Sequence, residues 1–235
     1  VTLERGGKSP QSIFAEADLD AALPVVINAI VQNSGQTCSA GSRVLIERPI
    51  YDSFLARLAA AFEQLRVGPA AMDLDLGPLI RQTQQQRVWD FLSDAQAAGI
   101  TQVAQGQVVD EAPEAGFYQA PVLLADVPVN HRIAQEEVFG PVLAAMPFQS
   151  EDEAVQLANA TPFGLVAGVW TENGARQFRM ARRVKAGQVF INNYGAGGGV
   201  ELPFGGYKSS GYGREKGFEA LYGFTVLKTV AARHG

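Results

Sequence analysis

One thiol and one carboxylate stand where chemistry could be done. Cys38 lies in Asn33-Ser34-Gly35-Gln36-Thr37-Cys38-Ser39-Ala40-Gly41, directly after a predicted helix. Glycines on both sides let the backbone turn sharply and present the sulfur, and the adjacent main-chain N–H groups can donate to a developing oxyanion. A small thiol packed as a hydrophobe is the plainer reading of a lone cysteine, but core cysteines sit in apolar runs and this one has polar neighbours. Glu4 precedes a glycine pair in Leu3-Glu4-Arg5-Gly6-Gly7-Lys8-Ser9-Pro10. Taken alone it reads as a surface glutamate beside a turn. A cysteine hydrolase or acyltransferase would need a histidine base. Only His131 could serve, and no supporting motif surrounds it. His131 and His234 stand too far apart in sequence to form a metal site by themselves.

These groups must be positioned by alternating elements. Helical periodicity appears at about 18–33, 49–66, 80–98, 150–160 and 173–184. Short β-rich runs appear at Arg43–Glu47, Thr101–Ala104, Val142–Phe148, Leu165–Thr171, Gln188–Asn192 and Thr225–Val230. Ser150-Glu151-Asp152-Glu153 is a capping-box signature. Pro24 falls inside the first helical pattern, so that helix is expected to start late or to kink. The alternation predicts an α/β fold with a mostly parallel sheet covered by helices. Gln105–Phe117 reads as a surface loop, and Tyr194–Gly217 as a long glycine-rich one, which in a compact domain is normally functional. Within it, Gly211-Tyr212-Gly213-Arg214-Glu215-Lys216-Gly217 imitates a dinucleotide fingerprint. It follows no strand, and too little chain remains for a mononucleotide-binding unit, so it is not a pyrophosphate site.

The chain has 235 residues, 47% hydrophobic and 18% charged, as a soluble globular protein has. A net charge of −5 with scattered basic residues offers no footprint for nucleic acid or an anionic membrane. The longest apolar stretch is about half the ~20 residues of a membrane span. A lone cysteine excludes an internal disulfide and suits a reducing compartment such as the cytoplasm. The start, Val-Thr-Leu-Glu, has neither an initiator Met nor a signal peptide, and is expected to be a cut at a domain boundary.

The glutamate and cysteine segments closely resemble the active-site signatures of the aldehyde dehydrogenase superfamily, Glu-Leu-Gly-Gly-Lys-Ser-Pro and Gly-Gln-x-Cys-x-Ala-Gly, at the family's separation. Glu136-Glu137-Val138-Phe139-Gly140-Pro141, Asn159–Leu165, Pro203–Gly211 and Gly213-Arg214-Glu215 are similar to further family motifs, in the family's order. The resemblance covers essentially the whole chain. It implies NAD(P)-dependent oxidation of an aldehyde, with Cys38 as nucleophile and Glu4 as the base that activates water. It also implies that the Cys38 N–H is part of the oxyanion hole, whose other part, an asparagine, belongs to a nucleotide-binding domain expected before residue 1. Glu137 would hold the nicotinamide ribose and Phe139 would pack on the ring; otherwise they are a solvated acid and a core aromatic. Gln84, placed by its distance from Gly77-Pro78, is a further cofactor contact, with the cofactor NAD or NADP. Asn192 would brace the catalytic loop or cap a strand end, and Gly7 and Gly35 would support the site.

Residues 1–223 are expected to form the catalytic domain, with 1–10 at the hinge. Residues 224–235 are expected to supply a strand that pairs across a subunit boundary of a dimer or tetramer. The thiol of the intact protein is expected to titrate below a free cysteine. Arg5 departs from the family's small or aliphatic residue and sets a charge beside the base. Gly195–Leu202 offers few side chains where the family lines its substrate tunnel, which would leave room for a bulky aldehyde. The isolated chain is expected to be inactive, and a non-catalytic structural fragment is the other reading.

Overall fold

The computed structural model describes residues 2–195 and 199–235. Each amphipathic segment becomes a helix close to its predicted bounds. The helices are α1 (Leu19–Val31), α2 (Tyr51–Gln64), α3 (Gln82–Ala97), the one-turn α4 (Arg132–Gln135), α5 (Glu151–Asn159) and α6 (Gly174–Arg183). Only α4 is too short to show in the periodicity. Asp18 starts α1 by accepting the N–H groups of Asp20 and Ala21, each at 3.0 Å. α1 does not start late. It runs through Pro24, whose ring removes the N–H that the Asp20 carbonyl would otherwise receive. At α5 the Ser150 hydroxyl accepts the Glu153 N–H at 3.3 Å, and the Glu153 carboxylate reaches back to the Gln149 N–H at 2.7 Å.

The strands are β1 (Pro10–Ile13), β2 (Arg43–Glu47), β3 (Thr101–Gln105), β4 (Val122–Ala125), β5 (Val142–Phe148), β6 (Val166–Trp170) and β7 (Gln188–Ile191). They form a seven-stranded sheet in the order β7-β6-β1-β2-β5-β4-β3. Every neighbour is parallel except the β3–β4 pair, which is antiparallel. Alternation along the strands divides the core between two faces. Val44 and Ile46 of β2 join Leu143 and Ala145 of β5 under α1 and α2. Leu45 joins Val142, Ala144 and Met146 on the face covered by α3, α5 and α6. α2 buries Tyr51, Phe54, Leu58 and Phe62, one stripe at helical spacing, each contributing roughly 1.5–3 kcal/mol by leaving water.

β1, β2 and β5 are adjacent and parallel, so their amino ends lie along one side of the sheet. The Glu4 segment leads into β1, the Cys38 segment into β2 and the Glu137 segment into β5. Ligands of open α/β sheets are usually sought at the opposite, carboxyl ends.

The expected terminal strand, which was to pair with a second subunit, has no partner strand among the described residues. Residues 225–235 belong to no helix or strand, and Val226, Leu227 and Val230 are almost fully exposed. An alternating sequence becomes a strand only when another strand takes its N–H and C=O groups, and none of the described residues does so. Gln105–Phe117 is mostly exposed loop, with Gln107–Val108 paired in parallel to Arg66–Val67.

Candidate active site

The cysteine turn is built from left-handed backbone. Asn33, Ser34 and Gly35 have φ of 50°, 55° and 73°, which ends α1 abruptly and swings the chain toward β2. Gly35 is required twice over, because a Cβ there would stand 2.2 Å from the Gly140 carbonyl carbon. The turn is then fastened from outside. Ser34 donates to the Gly77 carbonyl at 2.8 Å, and the Gln36 side-chain oxygen accepts the Ile80 N–H at 2.9 Å. Cys38 follows in a tight turn closed by the Ala40 N–H on the Thr37 carbonyl at 3.0 Å. Its half-buried thiol packs with Leu165, Val166 and Phe204.

Tyr194 had no predicted part in the site. Its hydroxyl donates to the Ser39 carbonyl at 2.6 Å, and burial raises its pKa so far that it stays a donor. Its only sequence signal is its place at the head of the glycine-rich loop.

The glutamate segment packs directly on this turn. A Cβ at Gly7 would fall 2.4 Å from the Cys38 carbonyl oxygen, so only bare backbone fits there. The Gly7 N–H donates to the Glu137 carboxylate at 3.0 Å, which joins the third segment to the first two. Glu4 itself is held by a short antiparallel pairing, Leu3 with Tyr212 and Glu4 with Gly211. One of its carboxylate oxygens is buried with no hydrogen-bond partner. Burial, and then the charge of Glu215, raise its pKa against the opposing pull of Lys216 and Arg214. A carboxylate moved upward in this way is a better proton acceptor near neutral pH.

Glu137 is partly buried, and burial raises its pKa in opposition to the Gly7 N–H. Phe139 adopts φ of 59°, a strained choice for an aromatic residue, and it persists because neighbours hold it. Gln84 is one of those neighbours. Its amide nitrogen donates to the carbonyls of Val138 at 3.0 Å and Phe139 at 2.6 Å. Gln84, expected as a cofactor contact, braces the loop here, and Arg87 adds a bond to the Glu137 carbonyl at 2.6 Å. Asn192 likewise takes the strand-end role. It accepts the Thr171 N–H at 2.8 Å and donates to the Thr171 carbonyl at 3.1 Å, leaving the cysteine loop to Tyr194. His131 caps α4, its Nδ1 accepting the Ile133 N–H at 3.2 Å.

A buried cation completes the scaffold. Arg43, wholly inaccessible to water, donates to the Lys8 carbonyl at 2.9 Å and to the last carbonyls of α5, Leu157 at 2.7 Å and Ala158 at 3.0 Å. A guanidinium at a helix C-terminus is favoured by the dipole as well as by the bonds.

The electrostatics of the thiol give a checkable result. Burial first, then the charges of Glu4 and Glu137, raise the Cys38 pKa. Iodoacetamide alkylation of this chain, followed against pH, should therefore show its inflection above that of a free cysteine, ~8.5. Glu4→Gln removes one of the two carboxylate charges and should move the inflection down. An inflection at or below the free value would contradict this geometry.

At one side of an α/β sheet, a half-buried thiol and two carboxylates whose pKa values burial raises thus meet around bare glycine backbone. The chain belongs to the aldehyde dehydrogenase family, whose profile it matches over residues 1–230. It is 41% identical to an aldehyde dehydrogenase of Emericella nidulans over 236 residues, covering 100% of this chain and 47% of that protein. A crystal structure described as that of a candidate aldehyde dehydrogenase from Burkholderia cenocepacia superposes with a TM-score of 0.98 at 75% identity, over 100% of this chain and 49% of the other. An NAD⁺ complex of a Bacillus cereus aldehyde dehydrogenase superposes with a TM-score of 0.92 at 40% identity, over 98% and 46%. The chain thus spans about half the length of the curated relatives it matches.

Proposed function

We propose that this chain is the catalytic part of an NAD(P)-dependent aldehyde dehydrogenase, acting through Cys38 and Glu4. The observation that carries the reading is the convergence of the Glu4, Cys38 and Glu137 segments through Gly7 and Gly35. The Cys38 thiolate attacks the aldehyde carbon, and the Cys38 N–H would donate to the resulting oxyanion. Once the hydride has left, a thioester remains on the sulfur. Glu4 takes a proton from water as that water attacks the thioester carbonyl, and the acid departs. The unpartnered, buried carboxylate oxygen of Glu4 suits that acceptance.

The residues fit a nicotinamide dinucleotide. Gly6 and Gly7 leave bare backbone against Glu137, whose carboxylate would hold a ribose hydroxyl, and Phe139 would border the ring. Bound there, the oxidised cofactor supplies the hydride acceptor and a positive charge that would draw the thiol pKa back down. Gln84, Asn192, Gly7 and Gly35 hold the backbone around it.

In this reading residues 1–223 are the catalytic domain, and 224–235 become a strand on a second subunit of a dimer or tetramer. A cytoplasmic setting suits the lone thiol. No helix among the described residues is long and apolar enough to cross a membrane. The loop expected to line the substrate tunnel, Gly195–Leu202, lies partly outside the described residues.

Calorimetric titration of the full-length protein with NAD⁺ and NADP⁺, followed by an aldehyde panel, tests the proposal. Binding of one cofactor and its reduction by an aldehyde are expected, while the isolated chain should do neither. A full-length protein that binds no dinucleotide would make this a non-catalytic family member.

A further inference from the structure

Ser210 is fully buried in the glycine-rich segment and has no place in the chemistry above. Its hydroxyl donates to the Gly6 carbonyl at 2.8 Å and accepts the Gly164 N–H at 2.9 Å. Its own carbonyl accepts the Arg5 N–H at 3.0 Å. The next residue, Gly211, is the register partner of Glu4. Ser210 therefore grips the chain on both sides of Arg5, immediately after Glu4. Through Gly164 it ties that grip to Leu165, which packs against Cys38 and lies 3.4 Å from where a Gly7 Cβ would stand. The cysteine turn has different fastenings, in Ser34, Gln36 and Tyr194.

We infer that Ser210 is a positioning residue that sets the Glu4 carboxylate against the Cys38 thioester, and so governs deacylation without governing acylation. A hydroxyl that donates and accepts at once joins two backbone segments at a fixed separation; an alanine keeps only the backbone bond to the Arg5 N–H and loses the tie between them. The inference rests on the proposed role of Glu4 as base. Displacing a reacting group by about 1 Å can cost on the order of 10²-fold in rate. The loss should fall on the step that Glu4 serves.

The test compares Ser210→Ala, Ser210→Cys and Glu4→Gln in the full-length enzyme. It reads the pre-steady-state burst of reduced cofactor and the steady-state turnover. Ser210→Ala should keep the burst and lose roughly 10–100-fold in turnover. Ser210→Cys, which retains a weak donor and acceptor, should recover part of that loss. Equal loss of burst and turnover, unchanged turnover, or failure of both serine variants to fold would overturn the inference and leave Ser210 a packing residue. If Glu4→Gln separates burst from turnover and Ser210→Ala does not, the serine inference alone fails. If Glu4→Gln itself lowers both equally, the fault lies in the assignment of Glu4.

Discussion

Cys38→Ala in the full-length protein is expected to abolish aldehyde oxidation, a loss of roughly 10⁶-fold, the scale on which removing an enzymic nucleophile acts. No other residue among those described can replace it, since this is the chain's one cysteine. The methyl group of alanine fits where the half-buried thiol packs with Leu165, Val166 and Phe204, so the fold should survive. Glu4→Gln is expected to behave differently. It keeps the shape of the side chain and the pairing with Gly211 but cannot take a proton from water. The first turnover should proceed at a near-normal rate and then stall, giving a burst of about one reduced cofactor per site. Rapid-mixing absorbance of the nicotinamide separates the two phases. A cysteine variant that still turns over, or a glutamine variant with no burst, would refute the division of labour between the two residues.

Arg43→Met is expected to bring the largest loss of stability, about 3–5 kcal/mol. Methionine fills much of the volume but removes the guanidinium bonds to the carbonyls of Lys8 and Ala158, and leaves Leu157 only the Ala160 N–H. Each such group costs about 1–3 kcal/mol, partly offset because an unpaired charge no longer has to be buried. Urea unfolding of the wild type and the variant measures the difference, and a change below about 1 kcal/mol would show the bonds to be replaced by water. Lys8 sits one residue beyond Gly7, so activity should fall faster than stability as the variant approaches its midpoint.

The helices and most of the sheet were legible because amphipathic periodicity survives in α1, α2, α3, α5 and α6. β1 was not. Its residues, Pro10-Gln11-Ser12-Ile13, show no apolar alternation, yet it runs fully buried between β6 and β2. Its polar side chains are only partly satisfied there: the Gln11 side-chain oxygen accepts the Trp170 indole N–H at 3.1 Å, while the Gln11 amide nitrogen and the Ser12 hydroxyl are buried without a partner. Proline is tolerated as the strand's first residue. β4, Val122–Ala125, is too short to distinguish from any other apolar run. Thr225–Val230 shows the reverse case, alternation without a partner.

Within the site, Cys38 and Glu4 stood out as functional groups beside glycines. The residues that hold them did not. Arg43, Tyr194, Gln84 and Ser210 all act on backbone carbonyls distant in sequence, and a carbonyl has no residue type to read.

The separation of the two ends of the sheet has a practical consequence. The proposed chemistry occupies the amino ends of β1, β2 and β5, whereas the turns that leave those strands open on the opposite side. Arg48–Ile50, after β2, is such a turn, and most of its residues face solvent. A fluorophore, an affinity handle or an inserted peptide placed there would report on the protein from the far side of the sheet. The reactive end would be left to titrate and turn over as before.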